Sequence, residues 1–285
     1  MKILFIILAA IVLLIVSLLI AQYFGNKSFT GKVNNEIKTV FDSVNLTNPE
    51  IVTEESIQHL PSPVQKYLKY AGVVGKERIR CTRLKQRANI KMSPESSGFN
   101  HTAVQYFTSE KPAFVWLADM SLFPGFSMMV RDKCIEGKGE MLGKLFSLFP
   151  VVFAEGPKIN QGALARYVGE MVWQPSAFLE EYCKWEEIDS SSARVKVSVS
   201  GVEVNGVFTF GDEGKIETFV CPRWKGTDGE EMSTYVNYFL EYKNFSGYKV
   251  PSRGQAVWRE KDGSEFIYWD GCVTEVEYNI PEIWQ

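Results

Sequence analysis

The sequence is poor in the side chains that bind metals or run redox chemistry. Its 285 residues include two histidines, His59 and His101, and five scattered cysteines, Cys81, Cys134, Cys183, Cys221 and Cys272. There is no CxxC pair, so neither a zinc site nor a thioredoxin-like redox site is signalled, and no metal is expected. The cysteines read as buried free thiols, with one or two disulfides left open if the domain is extracytoplasmic. Both histidines read as surface or boundary residues. Charge of one sign is also lacking. The formal net charge is −3, with no basic block and no acidic tail, which argues against nucleic acid as a partner. HExxH, GxSxG and P-loop patterns are absent, so no catalytic residue is assigned. Gly137-Lys138-Gly139 opens like a dinucleotide turn, but the third glycine is missing and no cofactor is expected. The paired carboxylates Glu180-Glu181 and Glu186-Glu187 read as polar surface.

What the chain does have is an apolar run. Ile3 to Ala21 are nineteen uncharged positions interrupted only by Ser17, and as a helix they span roughly 28 Å, close to the hydrocarbon thickness of a bilayer. A signal peptide has a shorter core and small residues before its cut, whereas Leu19 is large, so residues 1–24 are read as an uncleaved transmembrane anchor. No cysteine near its end could accept a lipid. Lys2 against Lys27 and Lys32 leaves orientation nearly tied under the positive-inside rule. Residues 25–59 read as a polar tether, Gly25 to about Lys32, followed by a short helix over Asn34 to Phe41. Residues 60–285 read as a single domain.

Ser62-Pro63-Val64-Gln65 has the form of a capping box with proline at the first helical position. Val64, Tyr67, Leu68 and Ala71 follow at helical spacing up to Gly72. From Glu77 onward the pattern is that of strands. Phe99–Phe107 and Phe126–Val130 alternate, and Ala113–Leu117 is an unbroken apolar run of the kind found in a strand covered on both faces. Strands are also predicted over Arg194–Ser200, Val204–Phe210, Lys215–Cys221, Thr234–Tyr242, Gln255–Arg259, Glu265–Trp269 and Val273–Tyr278. Hairpin turns are predicted at Asn205-Gly206, Asp212–Gly214, Ser246-Gly247, Asp262-Gly263 and Asp270-Gly271, which together imply an antiparallel meander.

A helical insert is predicted between the two sets of strands. It begins with the apolar segment Glu140–Phe149, within a stretch to Phe153 that reads as a core helix or as a lid or bilayer-contacting surface. A helix capped by Asn160 follows through Trp173, then a third helix from Ser176 to about Lys184. On the second helix Leu164, Tyr167, Val168 and Met171 form the apolar stripe. Arg166, Glu170 and Trp173 share the opposite face. A tryptophan there points to a cavity with Arg166 and Glu170 as polar contacts, against the alternative of a solvated ion pair beside a partly buried ring. Phe114, Trp116, Phe126 and Met128 lie on strands as core or cavity wall, and Phe146 on the insert. Arg131-Asp132 and Arg223-Trp224 fall near strand ends, where charges are ordinarily solvated.

Four stretches carry a resemblance. They are Leu60–Leu68, Pro112-Ala113-Phe114-Val115-Trp116, Arg131-Asp132 with Gly137-Lys138-Gly139, and Arg166-Tyr167-Val168-Gly169-Glu170 with Trp173 and Pro175. As a set they resemble a bacterial family of single-pass or soluble proteins of unknown function, over nearly all of Leu60–Tyr278. The architecture this implies is similar to LolA/LolB-type lipoprotein carriers: α+β, an N-terminal transmembrane helix, then a curved antiparallel half-barrel with helices on its concave side. The resemblance also implies a single-pass membrane protein with the globular domain extracytoplasmic.

The expected function is therefore a membrane-tethered envelope module that binds a lipid or other apolar ligand between sheet and helices. Its expected ligand contacts are Arg166, Glu170, Trp173, Trp116, Phe114, Met128 and Phe146, with Arg166 facing an anionic head group. Protein partners are not specified. One alternative is an interaction domain with a solid interior. The other is an unrecognised hydrolase or transferase, which would need a carboxylate or histidine of shifted pKa in a cleft.

Overall fold

The computed structural model describes residues 1–226 and 231–284. Alternating side chains separated by tight turns give two antiparallel meanders. The first comprises β1 (Cys81–Ile90), β2 (Phe99–Thr108), β3 (Ala113–Phe123), β4 (Phe126–Ile135), β5 (Lys138–Leu145) and β6 (Phe149–Glu155). The second comprises β7 (Cys183–Asp189), β8 (Ser192–Val199), β9 (Val202–Phe210), β10 (Ile216–Trp224), β11 (Met232–Phe245), β12 (Tyr248–Arg259) and β13 (Glu265–Tyr278). Antiparallel pairing of β1 with β13 fuses them into one thirteen-stranded sheet, ordered β6-β5-β4-β3-β2-β1-β13-β12-β11-β10-β9-β8-β7. This is the expected α+β half-barrel.

Among the described residues four α-helices accompany the sheet: α1 (Lys2–Phe41), the short α2 (Glu54–Ile57), α3 (Ser62–Tyr70) and α4 (Pro157–Glu170). α4 joins the two edge strands β6 and β7 and packs inside the curl against β5, β9 and β10. Gly139 permits its close approach, since a Cβ there would lie 2.6 Å from the Ile159 carbonyl and 2.7 Å from Ala163 Cβ. The glycine pair at 137 and 139 thus serves a turn and a helix contact. The other face of the sheet is covered by α1, where Phe29, Val33, Ile37, Val40 and Phe41 pack with Tyr106, Val115, Leu117 and Met129. The strand β3 therefore has helix on both sides. Phe114, Trp116 and Ala118 belong to the inner core, and Val115 and Leu117 to the outer one, which accounts for the unbroken apolar run.

Several sequence expectations give way here. The insert over Glu140–Phe149 is the β5–β6 hairpin rather than a helix, because its residues pair with β4 on one side and each other on the other. The tether is helical. Phe29, Val33, Ile37 and Val40 recur at helical spacing, so α1 continues unbroken from Lys2 to Phe41. The helix around Arg166 starts earlier, at Pro157, and Asn160 instead accepts a hydrogen bond from the Gly139 amide. In place of a third helix there are 3-10 turns at Met171–Trp173 and Pro175–Leu179, with β7 beginning at Cys183. The capping box falls at Thr53 and Ser56, while Gln65 turns back to the Leu60 carbonyl. Asn205-Gly206 and Asp270-Gly271 lie inside strands, where the glycines clear room for the rings of Phe219 and Trp269. His101 is buried, whereas His59 is exposed as expected.

Candidate functional site

A cavity of about 480 Å³ lies between the inner face of the sheet and α4, inside the roughly 300–1,000 Å³ range of small-molecule sites. One wall is flexible and aliphatic, with Met120, Met128, Val130 and Met141 from β3 to β5 and Val152 from β6. The facing wall is aromatic: Tyr235, Trp258, Phe266, Tyr268 and Trp269 from β11 to β13. The interior is thus not solid.

One side of the cavity is polar. Arg166 reaches from α4 to Asp132 on β4, Nη1 to Oδ2 2.6 Å, and to Glu170 one turn on, Nε to Oε1 2.9 Å. Glu170 accepts a further bond from Gln105 Nε2 at 2.7 Å. The Arg166 guanidinium lies 4.9 Å from the ring centroids of both Phe114 and Trp116. Trp116 in turn donates to Gln86 Oε1 at 2.9 Å, and Trp173 to the Pro251 carbonyl at 2.9 Å. Burial pushes Glu170 above the ordinary carboxylate range, and the neighbouring Arg166 offsets this only in part. Burial also works against the charge on Arg166, but Glu170 and Asp132 outweigh it and hold the guanidinium protonated.

A second arginine is held differently. Arg223 extends from β10 with its guanidinium 4.5 Å from the Tyr235 ring centroid and 5.6 Å from that of Trp258. Nη1 donates to Tyr268 Oη at 3.2 Å, while Nε has no acceptor. Among the described residues no carboxylate lies within 4.0 Å of Arg223. Asn237, also on the cavity wall, donates to Tyr235 Oη at 3.1 Å and leaves its own Oδ1 unpaired.

Of the seven expected contacts, Arg166, Glu170, Trp173, Trp116 and Met128 line the cavity. Phe114 sits one layer below, beneath Arg166. Phe146 is absent from the cavity because its hairpin turn packs it on Phe123 and Phe126. Arg131-Asp132 is not at a solvated strand end. Both residues are buried mid-strand on opposite faces, Asp132 toward Arg166 and Arg131 toward Glu36 and Glu140. Sequence reasoning read Arg223 as a solvated strand-end charge, whereas it packs on Tyr235 and Trp258 in the cavity wall, and it missed Tyr235, Trp258 and Tyr268. The strands were legible, but which alternate positions point inward depends on how the sheet curls. Among the described residues no group of three His, Cys, Asp or Glu side chains could hold a metal.

No curated protein matches the chain. Similar solved structures include the following two. One is a Vibrio parahaemolyticus domain described as that of an outer membrane lipoprotein-sorting protein, with 10% identity, TM-score 0.40, and coverage of 70% of this chain and 86% of that one. The other is a β-barrel-like protein of the domain of unknown function DUF1849 from Brucella abortus, with 10% identity, TM-score 0.31, and coverage of 70% and 98%. Residues 50–271 match the model of DUF6544, a family of unknown function, and the chain belongs to that family.

Proposed function

We propose that the protein is a membrane-anchored module that shelters a hydrophobic ligand, a lipid or an acyl chain, inside the half-barrel, with the globular part outside the cytoplasm. The observation that carries this reading is the cavity of about 480 Å³ walled by methionines and aromatic rings. Burying an apolar chain there contributes about 0.8 kcal/mol per methylene removed from water. Methionine side chains can adjust to chains of different shape. α1 supplies the anchor, since among the described residues it is the helix long and apolar enough to cross a membrane.

The charge pattern supports Arg223 rather than Arg166 as the head-group contact. Arg166 already satisfies two carboxylates, and a third anion would have to displace one of them. Arg223 stacks on aromatic faces with donors to spare, an arrangement suited to a carboxylate or phosphate.

The test uses the purified full chain and dansyl-undecanoic acid. Excitation of Trp116, Trp173 and Trp258, which line the cavity, should transfer energy to bound dansyl. The cavity-filling variant Met141→Trp should abolish saturable uptake while the protein stays folded. Uptake that is equal in the two proteins reports only partition into detergent and sinks the reading. A buried Glu170 of raised pKa is what the hydrolase or transferase alternative requires. Turnover of acyl esters that disappears in Glu170→Gln would establish that alternative instead.

A further inference from the structure

The direction in which α1 leaves the sheet says which edge meets the membrane. Its residues climb the outer face in order. Phe41 packs on Tyr106, Glu36 pairs with Arg131 and Lys133, and Phe29 lies under Lys144. Asn26 then bonds Ser147 in the β5–β6 turn, and Gln22 donates to the Gly125 carbonyl in the β3–β4 turn at 2.9 Å. Residues 2–17 make no buried contact beyond this edge, and at 1.5 Å per residue they project roughly 24 Å past it. Because β1 to β6 are successive antiparallel neighbours, the β1–β2 connection opens on the same edge as those two turns. That connection carries Lys91 and Met92, which line the cavity, and Met92 is 76% exposed. The rim of the cavity and the exit of the apolar helix therefore share an edge.

Beside α1 this edge carries exposed apolar side chains. Phe123, at the end of β3, is 50% exposed, and Phe149, where β6 leaves the β5–β6 turn, is 55% exposed. Tyr23 and Phe24 lie exposed on α1 at the end of the apolar run, where aromatic residues mark the lipid–water interface. The β5–β6 turn places Phe146 and Ser147 at φ of 53° and 56°, a left-handed pair rare outside glycine. Packing of Phe146 on Phe126 and the Ser147–Asn26 bond hold it there. Gly25 allows the approach, since a Cβ would lie 3.0 Å from both the Ser147 carbonyl oxygen and the Leu148 side chain. The helix and these turns thus form one rigid unit.

We propose that this edge is seated in the interfacial layer of the bilayer that receives α1, and that the cavity takes its ligand sideways from that leaflet past Lys91 and Met92. The route rests on the cavity reading above, but the seating does not. The occupant is the bilayer because the exposed apolar run of α1 starts beside these side chains and carries them to the lipid surface.

The experiment uses the full chain carrying Cys272→Ser, reconstituted in vesicles of phosphatidylcholine and phosphatidylglycerol. Single cysteines are introduced as Met92→Cys, Phe123→Cys and, in the β2–β3 turn at the opposite edge, Lys111→Cys. Each is labelled with an environment-sensitive fluorophore and quenched by doxyl lipids. Labels at 92 and 123 should be blue-shifted and lose half or more of their emission to the doxyl lipids, while the label at 111 should not change. Aqueous spectra at all three positions overturn the seating. So does shielding at 92 and 123 without doxyl quenching, which marks a protein partner or a second copy. Dansyl-undecanoate transfer in the same vesicles separates the two ideas. Transfer with aqueous labels removes only the seating, whereas lipid-quenched labels without transfer remove the cavity reading and with it the route.

Discussion

Asp132 on β4 and Arg166 on α4 form a 2.6 Å ion pair that ties the connecting helix to the middle of the first meander. Their side chains are only 6% and 14% exposed, so solvent screens the pair weakly. Removing Arg166 leaves the buried carboxylates Asp132 and Glu170 without their counter-charge, at a cost of about 3 kcal/mol or more. Arg166→Met should therefore lower the melting temperature by roughly 10 °C in a protein of this size. The triple variant Asp132→Asn, Arg166→Met, Glu170→Gln should recover most of that loss, because no charge is then left buried. A triple variant no more stable than the single one would show that the pair holds no such burden.

Arg223 should act on ligand and Arg166 on stability. Replacing Arg223 by Met removes a charge-assisted contact worth about 1.5–3 kcal/mol. A dansylated carboxylate should therefore bind roughly ten- to a hundredfold more weakly, while a dansylated alcohol of equal length keeps its affinity. Arg166→Met should show the opposite pattern, a lower melting temperature with little selectivity between the two probes. Equal losses for acid and alcohol in Arg223→Met would assign that side chain to the wall alone.

Much of this architecture was legible in the chain, and the failures share a cause. The run Ala113–Leu117 announced a strand covered twice because no polar residue interrupts it. Arg166, Glu170 and Trp173 could be placed at a cavity because a tryptophan on a polar helix face needs a reason. The hairpin at Glu140–Glu155 was misread because Met141, Leu142 and Leu145 satisfy helical spacing, and only pairing with β4 decides for strand. Tyr235, Trp258 and Tyr268 meet Arg223 through a register set strands apart. No local pattern contains that relation.

The thiols offer a check on burial. Four of the five cysteines are buried, and Cys272 alone is exposed. Burial pushes Cys81, Cys134 and Cys221 each up to about 12, so they lack the thiolate needed to react at neutral pH. Titration with a thiol reagent should count one reactive cysteine in the folded chain and five after denaturation. A native count of two or more would mean that the inner core, or the outer one at Cys81, opens to solvent.

His101 and Glu170 should bend the pH profile of stability in opposite senses. His101 is buried edge-on to Trp116, ring centroids 5.6 Å apart, and burial lowers its pKa. The fold keeps it neutral while the unfolded chain protonates near 6.5. Its contribution is complete above that pH and is lost as pH falls through the folded value. Glu170 is raised by burial, so its contribution is complete below the unfolded value near 4.5 and is lost as pH rises through the folded one. Between pH 7.5 and 5.0 the melting temperature of the parent should therefore fall relative to His101→Gln and rise relative to Glu170→Gln. Charges common to all three proteins cancel in these differences, leaving the two buried groups as the source of the slope. Parallel curves for the parent and His101→Gln would place the imidazole in water, and the ring stack on Trp116 with it.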